Sequence, residues 1–225
     1  MPIKLFIFGT GSLSEVAYNY FKENEKFEIV GFVEFKKFIK KNKKKKLPII
    51  EFEKVTKVYP KNKFQGFVAI GPKLMNSLRE DVYKKLKKKG YKLANCISEK
   101  STISKDVKIG DNCFIQENQI IQTGVRIGNN VTLWCGNIIG HSCKIQDNCF
   151  ITSNVVIAGN SSIGKNTFIG IKTAIKDGIK IGKNCAILMN STIAKNMKNN
   201  QTSLSNVSTI YDLKDSREFR KKYFD

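Results

Sequence analysis

One histidine, six cysteines and a short glycine-rich turn are the residues of this chain whose types and spacing could do chemistry. His141 is its sole imidazole. A neutral imidazole titrates near working pH and can take the proton from an amine or hydroxyl that attacks a carbonyl. A lone histidine is more commonly a surface or satisfied structural residue, and the residue by itself leaves that alternative open. The cysteines have no C-x-x-C pair, and one histidine cannot complete a His-rich zinc site, so no metal is expected. A γ-carbonic-anhydrase-type metalloenzyme, which needs several histidines, is excluded on the same ground. Gly9-Thr10-Gly11-Ser12-Leu13-Ser14 resembles G-x-G-x-x-G with serine in the last position. Such a turn opening a helix offers free N–H groups and a positive dipole end to phosphate. Glu34 stands where a ribose-binding acid would sit at the end of a second strand. About 95 residues hold only half a dinucleotide fold, so a mononucleotide or sugar nucleotide fits better than NAD. A tight turn with no ligand is the alternative.

The elements that must position these residues are written in two periodicities. From Ile97 to Ile193 every sixth residue is isoleucine, with Leu133 the one exception and no insertion. Neither a helix nor an alternating strand repeats in sixes. Six is the period of a parallel β-helix, in which three hexapeptides make one triangular coil and aliphatic residues stack inside a prism. The position two before each ladder residue also points inward and is small: Val107, Cys113, Val125, Val131, Cys143, Cys149, Val155, Ser161, Thr167, Thr173, Cys185 and Ser191. Cys113, Cys149 and Cys185 are therefore expected to be buried, reduced core residues, against the reading of a cysteine as acyl-carrying nucleophile. The pairs Gly110-Asp111, Gly128-Asn129, Gly164-Lys165 and Gly182-Lys183 are expected to absorb the backbone angles of the corners.

Residues 3–96 read as a short βαβ-type domain with a parallel sheet. Its strands are Lys4 to Phe8, Ile29 to Val33 and Phe67 to Gly71, with helices from the glycine-rich turn to Glu23 and from Met75 to Lys89. Lys36 to Lys46 reads as a solvated basic loop and Asn199 to Ser203 as a polar linker. A helical stretch from Asp212 to Tyr223 is expected to cap the prism. The net charge of +21 invites a nucleic-acid reading, but the only arginines are Arg79, Arg126, Arg217 and Arg220, and planar phosphate or guanine recognition favours arginine over lysine. No nucleic-acid partner is expected, though a positive field suits small phosphorylated substrates. No apolar run is long enough for a membrane span, and the N-terminus has no leader-like pattern, so a cytoplasmic protein is expected.

A Rossmann-like α/β domain over 1–96, followed by a hexapeptide β-helix over 97–196 and a partly helical tail over 197–225, resembles the left-handed β-helix acyltransferases of sugar-nucleotide biosynthesis. It is similar to the family of the bacillosamine-pathway N-acetyltransferase and the sialic acid O-acetyltransferases. The likeness is sharpest over Leu133-Trp134-Cys135-Gly136-Asn137-Ile138-Ile139-Gly140-His141-Ser142-Cys143 and Ile145-Gln146-Asp147-Asn148-Cys149-Phe150-Ile151. The resemblance implies a fold of mixed class with a left-handed parallel β-helix, working as a homotrimer. It implies direct acetyl transfer from acetyl-CoA to a nucleotide-linked amino sugar, with His141 as general base. The acceptor is expected to be the 4-amino group of a 4-amino-4,6-dideoxy sugar nucleotide, in surface glycan or glycoprotein biosynthesis. The sugar nucleotide is placed at Gly11, Ser12, Leu13, Glu34, Phe35 and Gly71. Acetyl-CoA is placed at Phe150, Gly159, Ile171 and Met189, between subunits. The sequence departs from the family where an acid usually follows the histidine, here Ser142, where a second histidine often contacts CoA, here Phe150, and where Ser12-Leu13 replaces a Gly-His pair. An O-acetyltransferase of a sugar such as sialic acid and a non-catalytic sugar-nucleotide-binding scaffold are the alternative readings.

Overall fold

The chain was analysed as a computed structural model, which describes residues 1–205; the helix expected over 212–223 lies outside the described residues. Strands rich in Phe, Ile and Val begin the chain: β1 (Ile3–Phe8), followed by helix α1 (Ser12–Glu23), β2 (Phe27–Glu34), β3 (Lys43–Lys44), β4 (Leu47–Glu51), α2 (Val55–Val58), β5 (Phe64–Val68) and α3 (Ser77–Lys88). They form one sheet in the order β3-β4-β2-β1-β5. Leu5 to Phe8 have no exposed surface, as a parallel strand covered on both faces requires. The sheet differs from expectation at one edge. The basic run contains β3, which folds back antiparallel on β4, and β4 in turn lies parallel to β2. Pro48 in β4 faces Lys43, while pairing to β2 begins only at Ile49, so the missing proline N–H disturbs no bond to β2. Helix α3 begins at Ser77 rather than Met75 because Leu74, Met75 and Asn76 all have left-handed φ, at 52°, 50° and 65°.

Beyond Cys96 the chain winds through three parallel sheets of seven, six and five two-residue rungs. From the second coil up to Ile193 each rung pairs with the one eighteen residues before it, as Ile139 with Ile121 and Ile169 with Ile151. The aliphatic ladder from Ile115 to Ile193 is buried throughout. A second series of period six makes the bends: Asn112, Asn118, Gly124, Asn130, Gly136, Ser142, Asn148, Asn154, Asn160, Asn166, Lys172, Gly178, Asn184 and Asn190 all have φ between 53° and 77°. Asparagine is the residue with a side chain that best tolerates this region. Neither residue of the pairs expected to take these angles does so, since Asp111, Asn129, Lys165 and Lys183 are not left-handed either. Gly110, Gly128, Gly164 and Gly182 have ordinary φ and are glycines because a Cβ there would strike the next coil's backbone or side chain. The expected linker is likewise structured, since Thr202–Ser203 adds a rung beside Ala186–Ile187.

The small inward position explains the cysteines. Its side chain donates to the carbonyl fifteen residues on: Cys113 to Gly128, Cys143 to Ala158 and Cys149 to Gly164, all at 3.1 Å, just as Ser161 does to Lys176 and Thr167 to Gly182 at 3.0 Å. Cysteine, serine and threonine are thus interchangeable small donors here. All six thiols are free, and only Cys135 is not buried. Burial pushes the Cys113 and Cys149 thiols up to about 12.

The prism has three faces of different chemistry. Phe114, Thr132, Phe150 and Phe168 ladder along the first. Lys108, Arg126 and Lys144 ladder along the second, and Ile120, Ile138 and Val156 along the third. The N-terminal domain sits on the aromatic face, with Tyr20 and Phe67 edge-on to Phe114. Helix α3 fixes it there through Arg79, which is 1% exposed. Its guanidinium donates to the carbonyls of Asn130, Asn148 (2.7 Å) and Cys149 (3.2 Å) and to Thr132 Oγ1 (3.2 Å), and lies 5.6 Å from the Phe150 ring centroid. Asn76 Nδ2 adds the carbonyl of Asn166 at 3.1 Å, so one helix end reads the same corner in three successive coils. Burial lowers the Arg79 pKa to about 10, which still leaves it charged at neutral pH.

Two outcomes follow. Cys113, Cys149 and Cys185 should resist alkylation in the native protein while Cys135 reacts first, as read by mass spectrometry of the labelled chain. Arg79→Met leaves buried carbonyls without a donor and should cost about 3 kcal/mol, read as a loss of roughly 10 °C in Tm by calorimetry.

Candidate functional site

The eighteen-residue coil places residues 123, 141, 159 and 177 in register along one edge of the prism. His141 is exposed there, its N–H donating to Gln122 Oε1 and its carbonyl accepting from the Asn160 N–H, both at 2.9 Å. These two bonds fix the backbone and leave the imidazole free. The ring lies over the next coil at Gly159, where an added Cβ would come within 2.6 Å of Nε2, 2.8 Å of Cε1 and 3.0 Å of Asp177 Oδ2. Gly159 is therefore a glycine of close approach. It is buried although it sits at an edge, and its N–H has no hydrogen-bond partner among the described residues. Ser142, next along the chain, is the corner residue with φ 59°, and its Oγ lies toward Gly124 in the preceding coil.

The residues expected to contact acetyl-CoA do not gather on this edge. Ile171 and Met189 stand on the adjacent edge, 41% and 58% exposed, and the aliphatic face of Ile120, Ile138 and Val156 lies between the two edges. Phe150 is on the aromatic face, 3% exposed, beneath Arg79 and stacked 6.1 Å from Phe168. Of the four, the structure brings only Gly159 to His141.

In the N-terminal domain Gly11 is the N-cap of α1, with no side-chain cap and open space around its Cα. Ser12 and Leu13 begin the helix, and Gly71 also faces open space. Gly9 is the glycine the turn cannot replace, with φ 113° and a Cβ position 2.7 Å from the Ala69 carbonyl oxygen. Glu34 is buried, and its carboxylate accepts from Thr10 N–H (3.2 Å), Thr10 Oγ1 (3.1 Å) and Phe35 N–H (2.9 Å), so it braces the turn from within. Phe35 packs edge-on against Phe8 and Phe52. Sequence reasoning missed Lys44, which the β3 strand carries over the turn; its Nζ donates to the carbonyls of Thr10 (2.7 Å) and Gly11 (3.0 Å) and to Ser14 Oγ (2.9 Å). Desolvation lowers the Lys44 pKa, opposed by the charge of Glu15. Within a lysine-rich run nothing in the sequence singles it out. A cleft of about 720 Å³ lined by Tyr20, Glu23, Ser98 and Glu117 lies at the far end of α1, away from Gly11. No group of three potential metal-ligating side chains occurs among the described residues.

Residues 124–159 and 160–195 match the bacterial transferase hexapeptide family, residues 106–140 the hexapeptide repeat of succinyl-transferase, and residues 4–86 the PglD N-terminal domain. The class is thus a hexapeptide-repeat transferase fold, a left-handed β-helix carrying a PglD N-terminal domain. Within that class the chain is similar in structure to a histidine-to-asparagine variant of perosamine N-acetyltransferase from Caulobacter crescentus, solved in complex with CoA and GDP-perosamine (TM-score 0.80, 19% identity, covering 90% of this chain and 93% of that one). It is similar also to the acetyltransferase domain of PglB from Neisseria gonorrhoeae in complex with acetyl coenzyme A (0.80, 18%, 90% and 96%). WeeI from Acinetobacter baumannii has the same fold (0.75, 16%, 89% and 95%). A comparison with curated proteins finds no match.

The close approach at Gly159 is directly testable. Gly159→Ala should displace the imidazole while leaving the coil intact, since overpacking of one methyl typically costs about 1–3 kcal/mol. The lone histidine resonance should move in the NMR spectrum with the circular dichroism unchanged.

Proposed function

We propose that this chain transfers an acetyl group from acetyl-CoA to the amino group of a nucleotide-linked amino sugar, with His141 as general base. The observation that carries the reading is the accessible imidazole at a prism edge, lying over a bare glycine whose N–H has no partner among the described residues. The amine nitrogen attacks the thioester carbon, His141 takes the proton it loses, the carbon–sulfur bond breaks, and the CoA thiolate leaves and receives that proton. We assign the Gly159 N–H, which has no partner among the described residues, as a donor to the oxyanion of the tetrahedral intermediate. Transfer is assigned as direct, and burial of Cys113, Cys143 and Cys149, which pushes their thiols up, speaks against these three as nucleophiles. Support for the substrates comes from neighbours of this fold that hold CoA or acetyl coenzyme A and GDP-perosamine.

The nucleotide is assigned to the turn at Gly11, Ser12 and Leu13, near Gly71, Glu34 and Phe35, with Lys44 adding positive charge. The acceptor is assigned as the 4-amino group of a 4-amino-4,6-dideoxy sugar nucleotide for surface glycan or glycoprotein synthesis. We assign a homotrimer, and the exposed aliphatic face of Ile120, Ile138 and Val156 supports it as the surface between copies. A second copy packed there brings its Ile171 and Met189 edge toward His141, and CoA then runs between copies, with Gly159 at its thioester end. Phe150, buried under Arg79, is left out of that contact. A cytoplasmic location fits these soluble substrates, and no described helix is long and apolar enough to cross a membrane.

Free-thiol release with acetyl-CoA and a panel of amino-sugar nucleotides tests the reading. His141→Ala should cut kcat by about 10²–10⁴ with much smaller changes in KM. Near-normal turnover in that variant would remove the base assignment, and acetylation of hydroxyl sugars alone would favour the O-acetyl reading.

A further inference from the structure

A catalytic imidazole needs its ring held so that one nitrogen faces the acceptor, and it needs its developing positive charge balanced. Ser142 cannot do this from where it stands. Its Oγ leans toward the preceding coil, 3.3 Å from the position of a Cβ on Gly124, whereas the His141 ring leans over the following one. There the single point that a Gly159 Cβ would occupy lies 2.6 Å from His141 Nε2 and 3.0 Å from Asp177 Oδ2. Imidazole and carboxylate face each other across the width of one missing methyl group.

The other charged groups of this edge are differently disposed. Lys105 and Asp106 lie two coils back, and Asp106 is committed to Thr123 Oγ1 and the Gly124 N–H, each at 2.7 Å. Lys176 adjoins Asp177 in sequence, and Lys195 is one coil beyond it. The Cys143 thiol, two residues on from His141, is buried and pushed up chiefly by that burial, with the charge of Asp177 adding to the shift. Asp177 itself makes no hydrogen bond or ion pair among the described residues, so a turn of its exposed side chain closes the gap to the ring.

Resting on the reading of His141 as base, we propose that Asp177 is its positioning residue. The nitrogen facing Gly159 keeps its proton and donates it to the Asp177 carboxylate, and the opposite nitrogen receives the proton of the attacking amine. The imidazolium so formed is balanced by the carboxylate until the proton passes to the leaving thiolate. The pairing spans two coils, through a position where any side chain larger than hydrogen would separate the partners.

The chain has one histidine, so the untagged full-length protein gives a single imidazole signal to follow by NMR across pH without substrate. A nearby carboxylate favours the protonated ring, so removing it lets the ring lose its proton at lower pH. Asp177→Asn should lower the titration midpoint, Asp177→Glu should restore most of that change, and Ser142→Ala should leave the midpoint in place. In turnover, Asp177→Asn should move the acid limb of kcat/KM the same way and lower kcat about ten-fold, with KM little changed. An unchanged midpoint in Asp177→Asn would overturn the proposal. Turnover surviving in His141→Ala would instead remove the base reading, with the midpoint still deciding whether ring and carboxylate are coupled.

Discussion

The whole prism depends on the chain turning a corner every sixth residue through a left-handed backbone angle. That conformation costs an ordinary side chain about 1–2 kcal/mol, and asparagine or glycine relieves most of it. Once the corner is fixed, the three sides need only two paired residues each, and side chains fall into columns that run the length of the prism. The asparagines also bind one another: Asn112 Nδ2 reaches Asn130 Oδ1 at 2.7 Å, and Asn130 Nδ2 reaches Asn148 Oδ1 at 2.8 Å. A corner residue chosen for its backbone angle thereby becomes part of the support for the next coil. Everything placed on the edges, His141 included, inherits its position from this repetition.

The columns also separate chemistry by face. The inner ladder is aliphatic, with small donors hooking one coil to the next. Outside, aromatic rungs hold the N-terminal domain, basic rungs stay in water, and aliphatic rungs remain open. The candidate site lies along the boundaries of the open face rather than in a closed pocket, so a single chain presents its parts on two edges.

What could be read in the sequence was whatever repeats. Ile97 to Ile193 declared the prism, and the small donor positions declared the thiols, because both obey the six-residue period. The bends fall one residue beyond Gly110-Asp111 and its counterpart pairs, because glycine here answers crowding while Asn112 and its counterparts take the angle. The rung at Thr202–Ser203 was hidden because the final turn drops out of the period. Lys44 was hidden in a lysine run, and β4 behind Pro48. His141 and Gly159, both named from the sequence, come together on one edge, whereas only tertiary packing shows that Arg79 covers Phe150. Asp177 stands thirty-six residues from His141, and nothing local ties the two until the coils are stacked.

At the start of helix α3, Arg79 and Asn76 grip the prism mainly by main-chain carbonyls, at Asn130, Asn148, Cys149 and Asn166, while Glu80, Tyr83 and Lys87 further along bond the side chains of Asn166 and Asp111. Any hexapeptide coil presents those oxygens in the same places, whatever side chains it bears. The Arg79 end of the joint therefore recognises the shape of the solenoid, and the side chains that the joint also reads, Asp111, Asn112 and Asn166, all belong to its corners. A chain built this way can change what its N-terminal half holds and what its prism edges do independently of each other, as long as Arg79 keeps its seat.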